Sequence, residues 1–180
     1  HGTVHSRKSV NTGIGTIASW LFAGMSYSRL RRNHFLHHAH PAHDHLDPDF
    51  HSSNKLLPWF FSFLWRYATV TQIIWNGALY NILVHAAGVG EVNVVLYWML
   101  PALLASFQLF FVGTYLPHRK PHDHTMPHNA RSQPRNHVVA FLSCYFFGYH
   151  AEHHLSPGAP WWKLWRVKDG RLGRTGTRVA

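Results

Sequence analysis

A single cysteine in 180 residues leaves no partner for an internal disulfide and no thiolate set for a zinc cluster. Cys144 stands in an apolar stretch and is expected to pack there rather than react. Acidic side chains are scarce too: 7 Asp and Glu face 17 Lys and Arg, for a formal net charge of +10. No nucleic-acid-binding motif accompanies that charge. The basic residues lie beside apolar segments and in the C-terminal tail, so nucleic acid is not the expected partner. There is no tandem repeat, and the given sequence, which starts without Met, is expected to carry no signal peptide. The chain opens on "HGTVH", already among histidines, and is expected to be an N-terminally truncated piece of a longer protein.

Formal charge is missing altogether from two long stretches, Val70 to Gly90 and Val92 to Pro117. A mean hydropathy of −0.16 therefore averages two phases, polar His-rich blocks and apolar blocks. As a helix the second stretch would run about 40 Å, beyond the roughly 30 Å hydrocarbon core of a bilayer. The two stretches read as a transmembrane hairpin turning near residues 88–93, with Pro101 kinking its second helix. Residues 10–28 are rich in glycine and small residues and suggest a buried or re-entrant helix as readily as a full span. "LLPWFFSFLWRYATV", from Leu56, reads as a helix lying at the membrane interface, where Trp and Tyr concentrate. Residues 137–155 read as one helix, apolar first and His-bearing at its end. The tail, residues 169–180, is basic and Gly-rich and is expected to be disordered, leaving 1–168 as the domain.

What the chain has in excess is histidine, 18 in all, one residue in ten. Two copies of His-x-x-His-His stand out, at His34, His37, His38 and at His150, His153, His154. On a helix, positions i, i+3 and i+4 share a face, so each triplet is expected to converge on one point. Imidazoles bind iron, zinc, copper or nickel, and six of them exceed what one four-coordinate zinc takes, which points to a pair of metals. Two membrane crossings between the boxes return the chain to its starting side, so the boxes can meet. His118 leaves the hairpin on the same face and can join them. Arg29, Arg31, Arg32, Arg119 and Lys120 flank the boxes, which makes that face cytoplasmic. Asp47, Asp49 and Glu152 stand near the boxes and could hold the second N–H of a ligand imidazole. His40, His43, His45, His51, His122, His124, His128 and His137 read as loop residues, and His85 as a packed residue inside an apolar span.

Four stretches, "HGTVH", "YSRLRRNHFLHHAHPAHDHLDPDFH", "SFQLFFVGTYLPHR" and "FGYHAEHHLSPGAPWWKLW", resemble the β-carotene ketolases (β-carotene 4,4′-oxygenases) of the membrane fatty-acid hydroxylase/desaturase superfamily. The likeness runs to about residue 168. It implies an all-α integral membrane protein with cytoplasmic His-bearing helices around a di-iron site. The family's first box, His-Asp-Ala-x-His, is represented only by its last histidine, His1. The second box maps onto His34, His37 and His38, followed by Asp-Pro-Asp-Phe-His at residues 47–51. The family's Leu-Pro-His-Arg histidine maps onto His118, and its third box onto His150, His153 and His154. Where the family has Glu-Glu inside that box, this chain has Ala151-Glu152. Where it continues Glu-Tyr-Pro-His, this chain has Leu155 to Gly158.

The resemblance implies two iron ions that activate O2 with electrons from an external donor such as ferredoxin. The substrate would be β-carotene, or a hydroxylated relative such as zeaxanthin, dissolved in membrane lipid. Two successive hydroxylations of carbon 4 of a β-ionone ring give a gem-diol, which loses water to leave the ketone. No Ser, Cys or Lys nucleophile is required, and no catalytic residue beyond the metal ligands is implied. Trp75, Tyr80, Trp98 and Phe107 are candidates for the substrate's slot. A carotene hydroxylase or fatty-acid desaturase would share the metal chemistry, but the "LPHR" and "PWW" stretches favour the ketolase. A membrane metal transporter would place ligands inside the spans, where only His85 lies.

Overall fold

The computed structural model describes residues 1–122 and 125–171, and every regular element among them is helical. α1 (Lys8–Ala23) ends on Gly24, whose left-handed backbone (φ 65°) lets the chain reverse at once into the next helix. α2 (Tyr27–Ala39) starts at Ser26, whose hydroxyl accepts from the Arg29 N–H, and stops just before Pro41. α3 (Leu56–Tyr67) follows the loop that carries Asp47 and Asp49. α4 (Val70–Asn81) begins at the Thr69 cap and is extended by a π turn, Ile82–Ala86. α5 runs from Glu91 to His118. α6 (His137–Cys144), α7 (His150–Leu155) and α8 (Leu164–Lys168) complete the described chain.

α5 is the one described helix long and apolar enough to cross a membrane, and only 11% of its most apolar stretch is buried. A core helix of a soluble protein would be mostly covered. Exposed apolar side chains continue over α4, at Val70, Ile73, Ile74 and Ile82, and over α1, at Ile17 and Leu21. Of the two helices expected to form the hairpin, the second has the length and apolarity to span a membrane. α4 carries Thr71, Gln72, Asn76 and Asn81, which dilute its apolar content. Pro101 does act on α5, but through a change of helix type. π turns occupy Val95–Met99 and Phe111–Tyr115, just ahead of Pro101 and Pro117. A proline has no N–H and presses its ring on the carbonyl four residues back; an inserted residue relieves both.

One expectation fails at residues 137–155, which form two helices instead of one. Tyr145 and Phe146 adopt left-handed backbone (φ 49° and 65°). Their N–H groups close α6 on the carbonyls of Phe141 and Ala140. The chain then turns and starts α7 afresh at His150. Gly113 on α5 allows the turn to sit close, because a Cβ there would lie 2.2 Å from the Phe147 ring. Of the stretch read as the tail, residues 169–171 are described. The Asp169 carboxylate, only 4% exposed, pairs with Arg135 (2.9 Å) and His137 (3.2 Å). The rest of the tail, residues 172–180, lies outside the described residues.

The core is aromatic: Phe50, Trp59, Phe60 and Phe110, backed by Phe107, Phe111 and Tyr115. It sits directly behind the acidic loop. Trp59 donates its indole N–H to the Asp49 carbonyl (2.8 Å), and Tyr67 donates to the Asp49 carboxylate (2.5 Å). Arg66 donates to the Asp47 carbonyl (3.2 Å), and Arg29 of α2 to the Ala68 carbonyl. These bonds tie α2, α3 and the acidic loop into one support for the second histidine box.

Candidate metal centre

Eight imidazoles gather in two groups of four. One group is His1, His34, His38 and His153; the other is His37, His118, His150 and His154. Within each group the candidate ligand atoms all lie within 4.8 Å of one another. Neither box converges on a single point, contrary to the helical reading of the sequence. Instead the boxes are shared out. In each, the i and i+4 histidines stay together and the i+3 histidine joins the other group. His34 and His38 take His153 from the third box, while His150 and His154 take His37 from the second. The reason is angular: i and i+4 project about 40° apart, and i+3 lies about 60° to the other side. With α2 and α7 facing each other, this splay aims at two points.

His1 completes the first group. Asn11 of α1 accepts from the N–H groups of Val4 and His5 (3.2 and 2.9 Å), which holds the N-terminal segment in place. The Nε2 atom of His1 then lies 3.0 Å from those of both His34 and His38. His118 completes the second group from the end of α5.

The buried group can be tested as a metal site by its protons. His37 donates Nδ1–H to the Asp47 carboxylate (2.9 Å), and His118 donates Nδ1–H to the Asn129 carbonyl (3.0 Å). Both acceptors only accept, so both Nε2 atoms present lone pairs. Those lone pairs face Nε2 of His154 (3.1 Å) and of His150 (2.9 Å), which in turn lie 3.0 Å from each other. No choice of neutral tautomers makes all three contacts hydrogen bonds, because each Nε2 carries one proton or one lone pair. A cation among four lone pairs removes the conflict. In either tautomer Nδ1 of His150 and of His154 has no partner among the described residues. The residues fit a transition metal with nitrogen ligands.

Burial prepares the ligands as well. It is the main cause that holds the His34, His150 and His154 imidazoles well below their usual range, with neighbouring imidazoles adding to the effect. The same causes bring His38 down to about 2 and His153 to about 3. These rings are neutral near pH 7 and need lose no proton to bind metal. His37 moves the other way. Burial disfavours its charge, but the hydrogen bond to Asp47 and the charges of Asp49 and Asp47 outweigh that and raise it.

Of the three carboxylates expected beside the ligands, Asp47 meets an imidazole. It also accepts from the backbone N–H groups of Ala42 and Asp49 (both 2.8 Å) and is completely buried. Asp49 braces the loop through Tyr67, and burial raises its carboxyl to about 6. Glu152 turns to Lys168 (2.9 Å) and to the Ser132 hydroxyl. A residue at i+2 between two ligands of a helical box points away from both, which the linear spacing does not reveal.

Residues 1–83 and 63–174 match the fatty acid desaturase family. The β-carotene ketolase of Paracoccus sp. (strain PC1) is 39% identical over 177 residues, covering 93% of this chain and 69% of that protein. The chain belongs to this family. A β-carotene ketolase of Haematococcus lacustris is 36% identical over 91% of this chain and 53% of its own length. The zeaxanthin 4-ketolase of Chlamydomonas reinhardtii is 38% identical over 91% of this chain and 38% of its own length. The chain thus spans between about two fifths and two thirds of these relatives. No solved structure matches it.

In this ketolase-family chain the remaining histidines separate by position. His5, His40, His43, His45, His51 and His85 belong to neither group, and His85 is exposed. His122 donates to the His118 carbonyl (2.8 Å). His137 joins the Tyr149 hydroxyl (2.9 Å). His124 lies outside the described residues. Sequence reasoning missed His128, whose ring stacks on His154 at 5.5 Å, and Asn129, which fixes His118. Both sit in a single 3₁₀ turn, Pro127–Asn129, too short for any periodicity to mark them.

Proposed function

We infer that this chain carries the metal centre of a membrane oxygenase that converts β-ionone rings to their 4-keto form, as the names of its relatives state for those proteins. The observation that carries the reading is the division of eight imidazoles into two groups of four. Two metals held side by side suit the reaction better than one. The groups are adjacent: the rings of His38 and His154 are 4.3 Å apart between centroids.

His1, His34, His38 and His153 would hold one iron, and His37, His118, His150 and His154 the other. When bound, the pair supplies activation of O2, using electrons from an external donor protein such as ferredoxin. Each hydroxylation takes one O2, two electrons and two protons, places one oxygen on carbon 4 and releases the other as water. After the second, the gem-diol loses water to leave the ketone. The chain's own part is positional. Asp47 fixes the His37 ring, the Asn129 carbonyl fixes His118, and the aromatic core stops the acidic loop from shifting. α5 and the exposed apolar faces of α1 and α4 seat the centre at the membrane, where a carotenoid is dissolved. Arg31, Arg32, Arg119 and Lys120 lie on the histidine side, and by the positive-inside rule they support a cytoplasmic orientation of the centre. The test is expression of the full-length protein in a β-carotene-accumulating host. Echinenone and canthaxanthin are expected; hydroxylated carotenoids without ketones would assign it to the sister hydroxylases.

A further inference from the structure

An apolar cavity of about 590 Å³ opens between α1, α4 and the half of α5 away from His118. Ala23, Asn76, Gly77, Tyr80, Trp98 and Ala102 are among its walls. Asn76, its one amide side chain, donates to the Ala23 carbonyl (3.0 Å) and so fastens α4 to the end of α1. Trp75 and Phe107, expected in the substrate slot, lie elsewhere. Trp75 packs against Trp20 (centroids 4.9 Å apart, rings tilted by 37°) and Phe107 packs against the aromatic core.

The cavity and the metal centre sit at opposite ends of one helix. From Ala102 to His118 α5 advances about 24 Å, and from Trp98 about 30 Å. Ala102, Ala105 and Ser106 follow one another at helical spacing toward His118, so small side chains continue the cavity's face along the way. Ser106 turns its hydroxyl back to the Ala102 carbonyl (2.9 Å), which leaves that face without a free polar proton.

We propose that this cavity binds the far ring of a two-ringed carotenoid while the near ring lies at the metal pair, and so acts as a ruler for substrate length. This rests on the ketolase reading of the centre. A stiff polyene with a ring at each end is about as long as the hydrocarbon core is thick, roughly 30 Å. That length matches the separation along α5. Aromatic walls at Tyr80 and Trp98 suit a flat, methylated ring, and a pocket of this volume suits a small apolar group. The far ring orients the rod and fixes how far carbon 4 of the near ring reaches into the centre.

Gly77 offers the test. A Cβ there meets no atom within 4 Å, so Gly77→Leu fills the cavity without straining the helix. In the full-length protein, Gly77→Leu is expected to lower conversion of β-carotene by about tenfold or more. Conversion of a shortened apocarotenal with one β-ionone ring should be unchanged. Ala102→Phe should act in the same way from the opposite wall. An equal loss for both substrates, or no loss for either, would overturn the proposal; the groove would then seat lipid or another helix. Binding is read separately, by the visible circular dichroism induced in β-carotene bound to metal-free protein in lipid nanodiscs. Gly77→Leu should weaken that signal, and His153→Ala should keep it. If the wild-type protein ketolated neither substrate, the ketolase reading would fall, while the dichroism would still decide whether the cavity holds a two-ringed carotenoid.

Discussion

The two imidazole groups have the same ligand chemistry and different surroundings. His37, His118, His150 and His154 are all buried, and two of them are fixed by acceptors, Asp47 and Asn129. In the other group His1 is exposed, His34 and His38 are half-buried, and only His153 is buried. The contrast teaches that ligand count does not set how firmly a metal is held. Rings with a fixed tautomer and no water around them lose little freedom on binding, whereas exposed rings must be ordered.

The largest expected effect breaks both groups alike. In the full-length protein His37→Ala or His153→Ala should abolish ketone formation at equal membrane expression, since each removes a ligand from one member of the pair. Carotenoid profiles of the host read this directly. Retained activity in either variant would detach that group from the reaction.

Asp47→Asn sharpens the comparison, because it touches only the buried group. Loss of the carboxylate leaves the His37 tautomer open, and a drop in metal affinity or activity of roughly 10–100-fold is expected. Metal analysis of the purified variant should show the deficit in one of two equivalents. Glu152→Gln serves as the contrast. Glu152 pairs with Lys168 and Ser132, so metal content should hold.

Chelation should then separate the groups in time. The metal held by His1, His34, His38 and His153 is expected to leave first, giving two phases of release under excess chelator. A single phase would mean that the two surroundings do not matter. The smallest effect is on the metal-free protein and depends on pH. His38 and His153 have folded values of about 2 and about 3, below the usual 6.5 of an unfolded histidine. The unfolded chain therefore binds more protons below pH 6.5, and stability should fall as pH drops from there toward 3. Thermal unfolding of the apoprotein across that window measures it. His37, with its raised value, contributes with the opposite sign, because protonation strengthens its pairing with Asp47.

The sequence by itself determined which histidines stand in the two imidazole groups. Two His-x-x-His-His boxes, the histidine after Leu116-Pro117 and the opening histidine are local features of chain chemistry, visible without coordinates. So is the apolar run of α5, which carries no formal charge from Val92 to Pro117. What only the tertiary structure decided is the partition. Helical spacing says which histidines share a face, but not that α7 meets α2 from the opposite side, so that His37 and His153 change places. That depends on the left-handed turn at Tyr145 and Phe146, two bulky residues that carry no sequence signal for it. Asp47, Asp49 and Glu152 looked alike in the sequence for the same reason. Hydrogen bonding depends on where a carboxylate points once helices pack, and packing is set by contacts between residues far apart in the chain.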